Sequence, residues 1–225
     1  MAAAGPLNTS SLREQVYRHL RDAINRGELA PGSFLDQNAI SEALGISRTP
    51  LRDALLQLEA EGFVSILPRR GVQVRALTLD DARHLYEIIG ALEGAALLAV
   101  APTFAAADVR RMRTLNADMV VALGDDDFET YYTLNLAFHD VFLERSDNVW
   151  LARTVRVCKE RLYDFARPPN FVPDWELAST AEHAEFLDLL ERGDWPGAAD
   201  YLRDVHWGFA VQRPFVERYY FGGGP

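Results

Sequence analysis

Cysteine is almost absent. The single Cys158 excludes an intramolecular disulfide and any zinc site built on cysteines, and it suits a reducing compartment. The opening MAAAGPLNTSS has no basic region followed by an apolar core, so no signal peptide is expected. The most apolar run, 91-ALEGAALLAVAPTFAAA-107, is interrupted by Glu93 and Pro102 and is too short and alanine-rich for a comfortable membrane span. A cytoplasmic protein with no membrane partner is the expectation. Internal repeats and long low-complexity tracts are missing too, and 48% hydrophobic residues suffice for a globular core.

Excess positive charge is also missing. A net charge of −10 taken alone argues against a nucleic-acid partner. The charge is unevenly spread, however: residues 1–76 hold 9 arginines and 8 acids, a balance of +1, and the remainder holds 14 basic and 25 acidic residues, a balance of −11. Only the first part is suited to meet phosphate.

That first part reads as three helices and a hairpin. Leu12, Val16, Leu20 and Ile24 share one face of a helix at about 10–26, followed by a turn through Ala30-Pro31-Gly32. A short helix at 37–44 starts at Asp36 and stops at Gly45. The segment 47-SRTPLRDALLQLEAEGF-63 then has Ser47 as N-cap, Pro50 in its first turn and an apolar stripe at Leu51, Ala54, Leu55 and Leu58. The run 63-FVSILPRRGVQVRAL-77 is two β-rich stretches around Pro68, Arg69, Arg70 and Gly71. Together these form a winged helix-turn-helix, with the third helix in the major groove and the wing on the backbone or minor groove of double-stranded DNA. Arg48 and Arg52, one turn apart, suit phosphates or guanine edges; Thr49 and the helix N-terminus suit a phosphate; Arg69 and Arg70 anchor the wing.

From Thr78 onward the pattern is helical, giving a mainly α protein with two domains, 1–76 and 77–225, the second an all-α antiparallel bundle. Thr78 and Asp81 form a capping box for a helix at about 79–101. Further helices fit about 106–123, 127–145, 148–167, 180–192 and 196–220, with a second capping box at Ser179 and Glu182. The tail 222-GGGP-225 reads as a frayed end, and Asp125-Asp126-Asp127 as a solvated helix-start loop.

Polar residues interrupt the apolar faces of this bundle. At 127–145 the inward stripe runs Tyr131, Leu134, Asn135, Phe138, His139, Phe142. His183 shares a stripe with Phe186, Leu187 and Leu190; His206 shares one with Ala199, Leu202, Phe209 and Ala210. His19 and His84 have no such company. Buried imidazoles must find partners, and a divalent cation satisfies several at once. Three imidazole nitrogens and one oxygen leave coordination positions free for water or a small ligand.

The stretch from Ala30 to Val74 closely resembles the DNA-binding domain of GntR-family bacterial transcription regulators. The likeness runs through Pro31-Gly32, Leu44-Gly45, the run from Ser47 to Asp53 and the ending Glu59 to Gly62. The rest of the chain, over about 80–215, resembles the family's FadR subfamily, whose effector domain is of the FCD type. The resemblance implies operator contacts at Arg48, Arg52 and Gly71, and a departure at Asn38, where relatives often have arginine. It implies a divalent metal ion (Zn, Ni or Mn) on Asn135, His139, His183 and His206, with Asn135 replacing the commoner aspartate and the loop Trp195-Pro196-Gly197 lengthening the last spacing. It also implies a neighbouring pocket for a small carboxylate, gripped in relatives by an arginine four residues before a glutamate; here these positions are Ile89 and Glu93. Arg156, Arg161 and Tyr163 are the substitutes considered, although they equally suit surface or salt-bridge roles.

The expectation is therefore a homodimeric regulator on a palindromic operator, a repressor relieved by a metabolite, and not an enzyme. Two rivals stand beside it. A metal-dependent hydrolase would use the three histidines to activate water, but no carboxylate sits at a motif distance as general base. A structural dimerisation domain would hold the histidines as core residues without metal.

Overall fold

Helix α1 (Leu12–Asn25) begins where Ser11 Oγ accepts from Glu14 N at 3.2 Å, and buries Val16, Tyr17, Leu20 and Ile24. Helix α2 (Gln37–Leu44) starts with Asp36 accepting from Asn38 N and Ala39 N, each at 3.0 Å, and ends at Gly45 with φ +62°. Helix α3 (Arg48–Ala60) turns Leu51, Ala54, Leu55 and Leu58 onto α1. Ser47 holds the N-cap position of α3 without a side-chain hydrogen bond, contrary to its expected capping role. Strands β1 (Val64–Leu67) and β2 (Gly71–Val74) pair antiparallel, with Val64 opposite Val74 and Ile66 opposite Val72. Phe34 bridges to Gln73 on the other edge of β2. Phe63, Val64, Val72 and Val74 close the core against α1 and α3.

The structure is a computed structural model that describes residues 11–163 and 173–221. It divides into two compact units between Leu77 and Thr78, with Tyr163 grouping with the first.

The second unit opens with α4 (Leu79–Val100), whose capping box pairs Asp81 N with Thr78 Oγ1 at 3.0 Å and Thr78 N with Asp81 Oδ2 at 3.1 Å. Next come α5 (Ala106–Gly124), α6 (Phe128–Leu143) and α7 (Val149–Tyr163). Helices α8 (Pro173–Glu191), α9 (Trp195–Tyr201) and α10 (Phe209–Val216) complete the bundle. By length and composition, the span Leu79–Thr103 is apolar enough to cross a membrane, but half of it is buried inside the bundle. Asp127 caps α6 by accepting from Thr130 N at 3.0 Å.

Several expected boundaries move. Helix α8 starts at Pro173, not near 180, so Ser179 and Glu182 lie inside it and form no capping box. Asp174 and Glu176 in its first turn complement the helix dipole. Trp195-Pro196-Gly197 is the first turn of α9, capped by Asp194, and not a loop. The expected helix at 196–220 is broken: π-helical turns occupy Leu202–His206 and Glu217–Phe221, and Gly208 separates α9 from α10. A side chain at Gly208 would meet Asp204 O at 2.1 Å. The wider π turn rotates the chain beyond it, so Ala210, expected on the inward stripe, is exposed. Leu134 is only half-buried. The expected helix end at 164–167 and the 222–225 tail lie outside the described residues.

Helix α4 carries Gly90 and Gly94 one turn apart, and both face α9 and the π turn. A Cβ on Gly90 would lie 2.9 Å from Trp207 Cβ and 3.2 Å from Arg203 Cα; one on Gly94 would lie 3.2 Å from Ala199 O. Glycine permits this close backbone approach, and it brings Trp207 over Glu93, which sits between the two glycines. Gly90→Val is expected to cost about 1–3 kcal/mol by overpacking, read as a lower midpoint in urea denaturation.

Candidate functional site

Three helical segments deliver one histidine each to a single point. His139 comes from α6, beside Phe138 and Phe142; His183 comes from α8; His206 ends the π turn. His139 and His183 are fully buried and His206 nearly so. Ring centroids lie 5.3 Å apart for His139 and His183, 5.1 Å for His139 and His206, and 4.8 Å for His183 and His206. One nitrogen from each lies within 4.8 Å of the others.

Each ring is held from behind. His139 Nδ1 lies 2.9 Å from Glu93 Oε2, His183 Nδ1 lies 3.2 Å from Asn116 Oδ1, and His206 Nδ1 lies 2.8 Å from Glu182 Oε2. The acceptors are anchored in turn. Trp207 Nε1 donates to Glu93 Oε2 at 2.8 Å, Asn116 Nδ2 to Thr180 O at 3.0 Å, and Gln212 Nε2 to Glu182 Oε1 at 2.8 Å. Lys159 Nζ, from α7, lies 2.5 Å from Glu93 Oε1. Acceptors at all three Nδ1 positions place the ring proton there and leave the Nε2 lone pair for the interior.

His139 Nε2, His183 Nε2 and Asn135 Oδ1 are buried without a hydrogen-bond partner. Leaving a buried polar atom unpaired costs about 1–3 kcal/mol; two of these atoms belong to the histidine cluster, and the third is on Asn135, one turn before His139 on α6. Burial, helped by Lys159 and His206, pushes the His139 pKa down to about 4 against the opposing pull of Glu93. Burial, with His206 and His139 nearby, also holds His183 well below the usual imidazole range. Burial would raise the Glu93 carboxyl, but His139 and Lys159 beside it hold it well below the usual carboxylate range. The outcome is neutral imidazoles beside an ionised carboxylate, which is the protonation state metal ligation requires.

The other expected residues fall in separate places. Glu93 is fully buried behind His139, with both oxygens engaged. Arg156 lines a cleft between α6 and α7 that Asp140, Glu144 and Lys159 share. Arg161 lies 3.7 Å from Asp81, and Tyr163 groups with the first unit. Sequence reading missed Lys159, Asn116, Glu182, Trp207 and Gln212 as supports. One signal was available: Lys159 is the only lysine in the chain.

In the first unit, Arg48, Thr49 and Arg52 are exposed at the start of α3, and Arg69 and Arg70 at the tip of the wing. Arg69 has φ +61° and Gly71 φ +106°, so the tip turns through the left-handed region that favours glycine. Arg70 lies over the Phe34 ring, 5.9 Å from its centroid. Arg48 Nη2 donates to Asn38 Oδ1 at 3.0 Å, so the amide braces the arginine. Among the described residues none of these arginines is in an ion pair.

Residues 12–74 match the gntR family of bacterial regulatory proteins, and residues 84–205 match the FCD domain. The chain belongs to the GntR family of transcriptional regulators. This GntR regulator is 33% identical over 204 residues to an HTH-type transcriptional regulator in an unstable DNA locus of Streptomyces ambofaciens, covering 87% of this chain and 82% of that one. It is 23% identical over 193 residues to the HTH-type transcriptional repressor RspR of Escherichia coli K12, covering 83% and 82% of the two chains. Among solved structures, Escherichia coli McbR/YncC superposes with a TM-score of 0.69 at 22% identity, covering 92% of this chain and 99% of that one. A GntR regulator from Rhodococcus sp. RHA1 gives 0.66 at 24%, covering 92% and 98%. The family and these relatives are regulators, not enzymes. Glu93 and Glu182, each occupied by a histidine Nδ1, leave neither carboxylate free as a general base.

The imidazoles set a pH dependence for the metal-free protein. His139 has a pKa of about 4 in the fold and 6.5 as a free side chain. Between those values the unfolded chain binds more protons, so stability is fully present above the upper value and lost as pH falls toward the lower. Thermal melts of chelator-treated protein are expected to show a falling Tm from about pH 6.5 to about pH 4, with a shallower fall in His139→Gln.

Proposed function

We propose that the protein is a homodimeric, cytoplasmic repressor whose grip on a palindromic operator is controlled by a small carboxylate bound at a divalent metal ion in the FCD domain. The observations that carry the metal reading are the gathering of His139, His183 and His206, one nitrogen of each within 4.8 Å of the others, and the buried His139 Nε2, His183 Nε2 and Asn135 Oδ1 without partners. FCD domains commonly bind metals. Zn, Ni and Mn all accept imidazole or amide oxygen ligands. All four donors are neutral, so the ion keeps its two positive charges, and an open coordination position there favours an oxyanion such as a carboxylate. The role of this chain's residues is to hold the ion: Glu93, Asn116 and Glu182 orient the imidazoles, and Phe138 stacks on His183 with centroids 4.0 Å apart. The repressor sense follows the relative RspR, which carries that designation.

On the DNA side, Arg48, Thr49, Arg52, Arg69, Arg70 and Gly71 form the proposed contact face, with Asn38 setting the direction of Arg48. The bare N-terminus of α3 adds unsatisfied N–H groups for a phosphate. The dimer reading draws on α4, where Ile88, Ala91, Ala95 and Leu98 are exposed at spacings of three, four and three. Their order, large-small-small-large, reads the same in both directions. An antiparallel second copy would place Ile88 opposite Leu98 and Ala91 opposite Ala95, the self-complementarity a two-fold interface needs.

Three experiments bear on this reading. In gel shifts on the gene's own upstream region, Arg48→Ala and Arg52→Ala are each expected to weaken binding by about 1–3 kcal/mol if they read guanine, or to reduce the salt slope by about one if they hold phosphate. Wild-type protein without sequence-preferring, salt-sensitive binding would overturn the operator assignment. Metal analysis is expected to find one divalent ion per FCD domain, lost in His183→Ala. Metal at 100-fold excess over its Kd is expected to raise stability by about 2.7 kcal/mol. Protein that binds no Zn, Ni or Mn and whose melting ignores chelator would leave the histidines as core residues only. For the dimer, Ala91→Glu is expected to yield monomer in sedimentation, and an unchanged dimer would exclude the α4 face.

A further inference from the structure

The only lysine of the chain, Lys159, is buried, and its ammonium lies 2.5 Å from Glu93 Oε1 and 5.3 Å from the centroid of the Trp207 ring. Glu93 is itself completely buried, and its other oxygen faces His139 Nδ1 at 2.9 Å and receives Trp207 Nε1 at 2.8 Å. A carboxylate in such a place is costly unless an opposite charge accompanies it. The neighbours available from α4, α6 and the π turn are Ile89, a histidine needed as a ligand, and an indole, none of which supplies a lasting charge. Among the described residues Lys159 alone supplies it, reaching across from α7.

We infer that Lys159 is a positioning residue for the metal centre: it keeps the Glu93 carboxylate against His139 Nδ1 and so aims His139 Nε2 at the ion. The geometry divides the work between the two oxygens. Oε1 is drawn to Lys159, and Oε2 is thereby left to face His139 and Trp207. Without the ammonium nothing offsets the burial of the carboxylate, so Glu93 leaves this position and His139 loses the partner that fixes its ring. Carboxylate partners behind ligating histidines typically change metal affinity 10–100-fold when removed, and Lys159 sits one step further out, acting through Glu93. The inference rests on the proposed metal centre, and its test separates the two.

Zinc affinity would be measured on the full chain by competition with a chromophoric chelator, with melting curves of the metal-free proteins taken alongside. Lys159→Met is expected to weaken zinc binding roughly 10-fold or more, and Lys159→Arg to restore affinity to within a few-fold of wild type. Glu93→Gln is expected to weaken binding as well. Adding Lys159→Met to Glu93→Gln should change affinity little further, because the carboxylate through which the lysine acts has gone. The double variant also removes both buried charges, so it can fold even if Lys159→Met alone does not; Lys159→Gln, neutral but still a donor, then replaces the single variant. Wild-type affinity in Lys159→Met or Lys159→Gln, or an equal loss with and without Glu93→Gln, overturns the role of Lys159 while leaving the metal centre standing. A wild-type protein that binds no zinc, nickel or manganese overturns both.

Discussion

A buried carboxylate organises the FCD domain. Glu93 lies in the middle of α4, the longest helix among the described residues, without exposure to water, in a position that is tolerable only if all its partners arrive together. They come from three other parts of the bundle: His139 from α6, Lys159 from α7 and Trp207 from the end of the π turn. The backbone makes the meeting possible. Gly90 and Gly94 flank Glu93 on α4 and let the segment from α9 to Trp207 approach closer than any side chain would permit. A charged group that can be satisfied in only one arrangement selects that arrangement over other packings of the same apolar surfaces, which fixes the register of four helical segments around it.

The histidine cluster extends the same design. Each imidazole of the cluster has an acceptor at its back, and each acceptor residue is anchored by a further hydrogen bond. Trp175 donates to Gln212, Gln212 to Glu182, and Glu182 receives His206. Such chains of hydrogen bonds fix the rings within the fold itself, the preorganisation that the proposed metal centre calls for. Satisfaction stops at His139 Nε2 and His183 Nε2, which accept no hydrogen bond. Burial also keeps His139 and His183 neutral, and neutral imidazole is the form that can ligate.

The DNA-reading unit relies on the opposite principle. Its core is a cluster of hydrophobic side chains, and among the described residues the arginines at the tips of α3 and the wing stand in water without acidic partners. Asn38 has a use that composition does not reveal. Where an arginine would add a contact of its own, the shorter amide accepts from Arg48 and directs it.

Local pattern was enough for much of this. Caps, glycine stops and apolar stripes placed α1 to α6 within a residue or two, because those signals act over one or two turns of chain. The inward face of His139 and His183 followed from helical spacing for the same reason. Elsewhere local signals misled. Ser179 and Glu182 have capping-box spacing but lie inside α8, which is already helical upstream of them. The stretch 196–220 keeps helical periodicity in its letters, yet the wide turn at Leu202–His206 and the break at Gly208 redirect it. What the amino-acid order determined by itself was the family, the helices and which histidines face inward. Only the tertiary structure decided who stands behind those histidines. Lys159, Asn116 and Glu182 are separated from their partners by 66, 67 and 24 positions in the chain, and no periodicity along one helix records which residue of another it will meet.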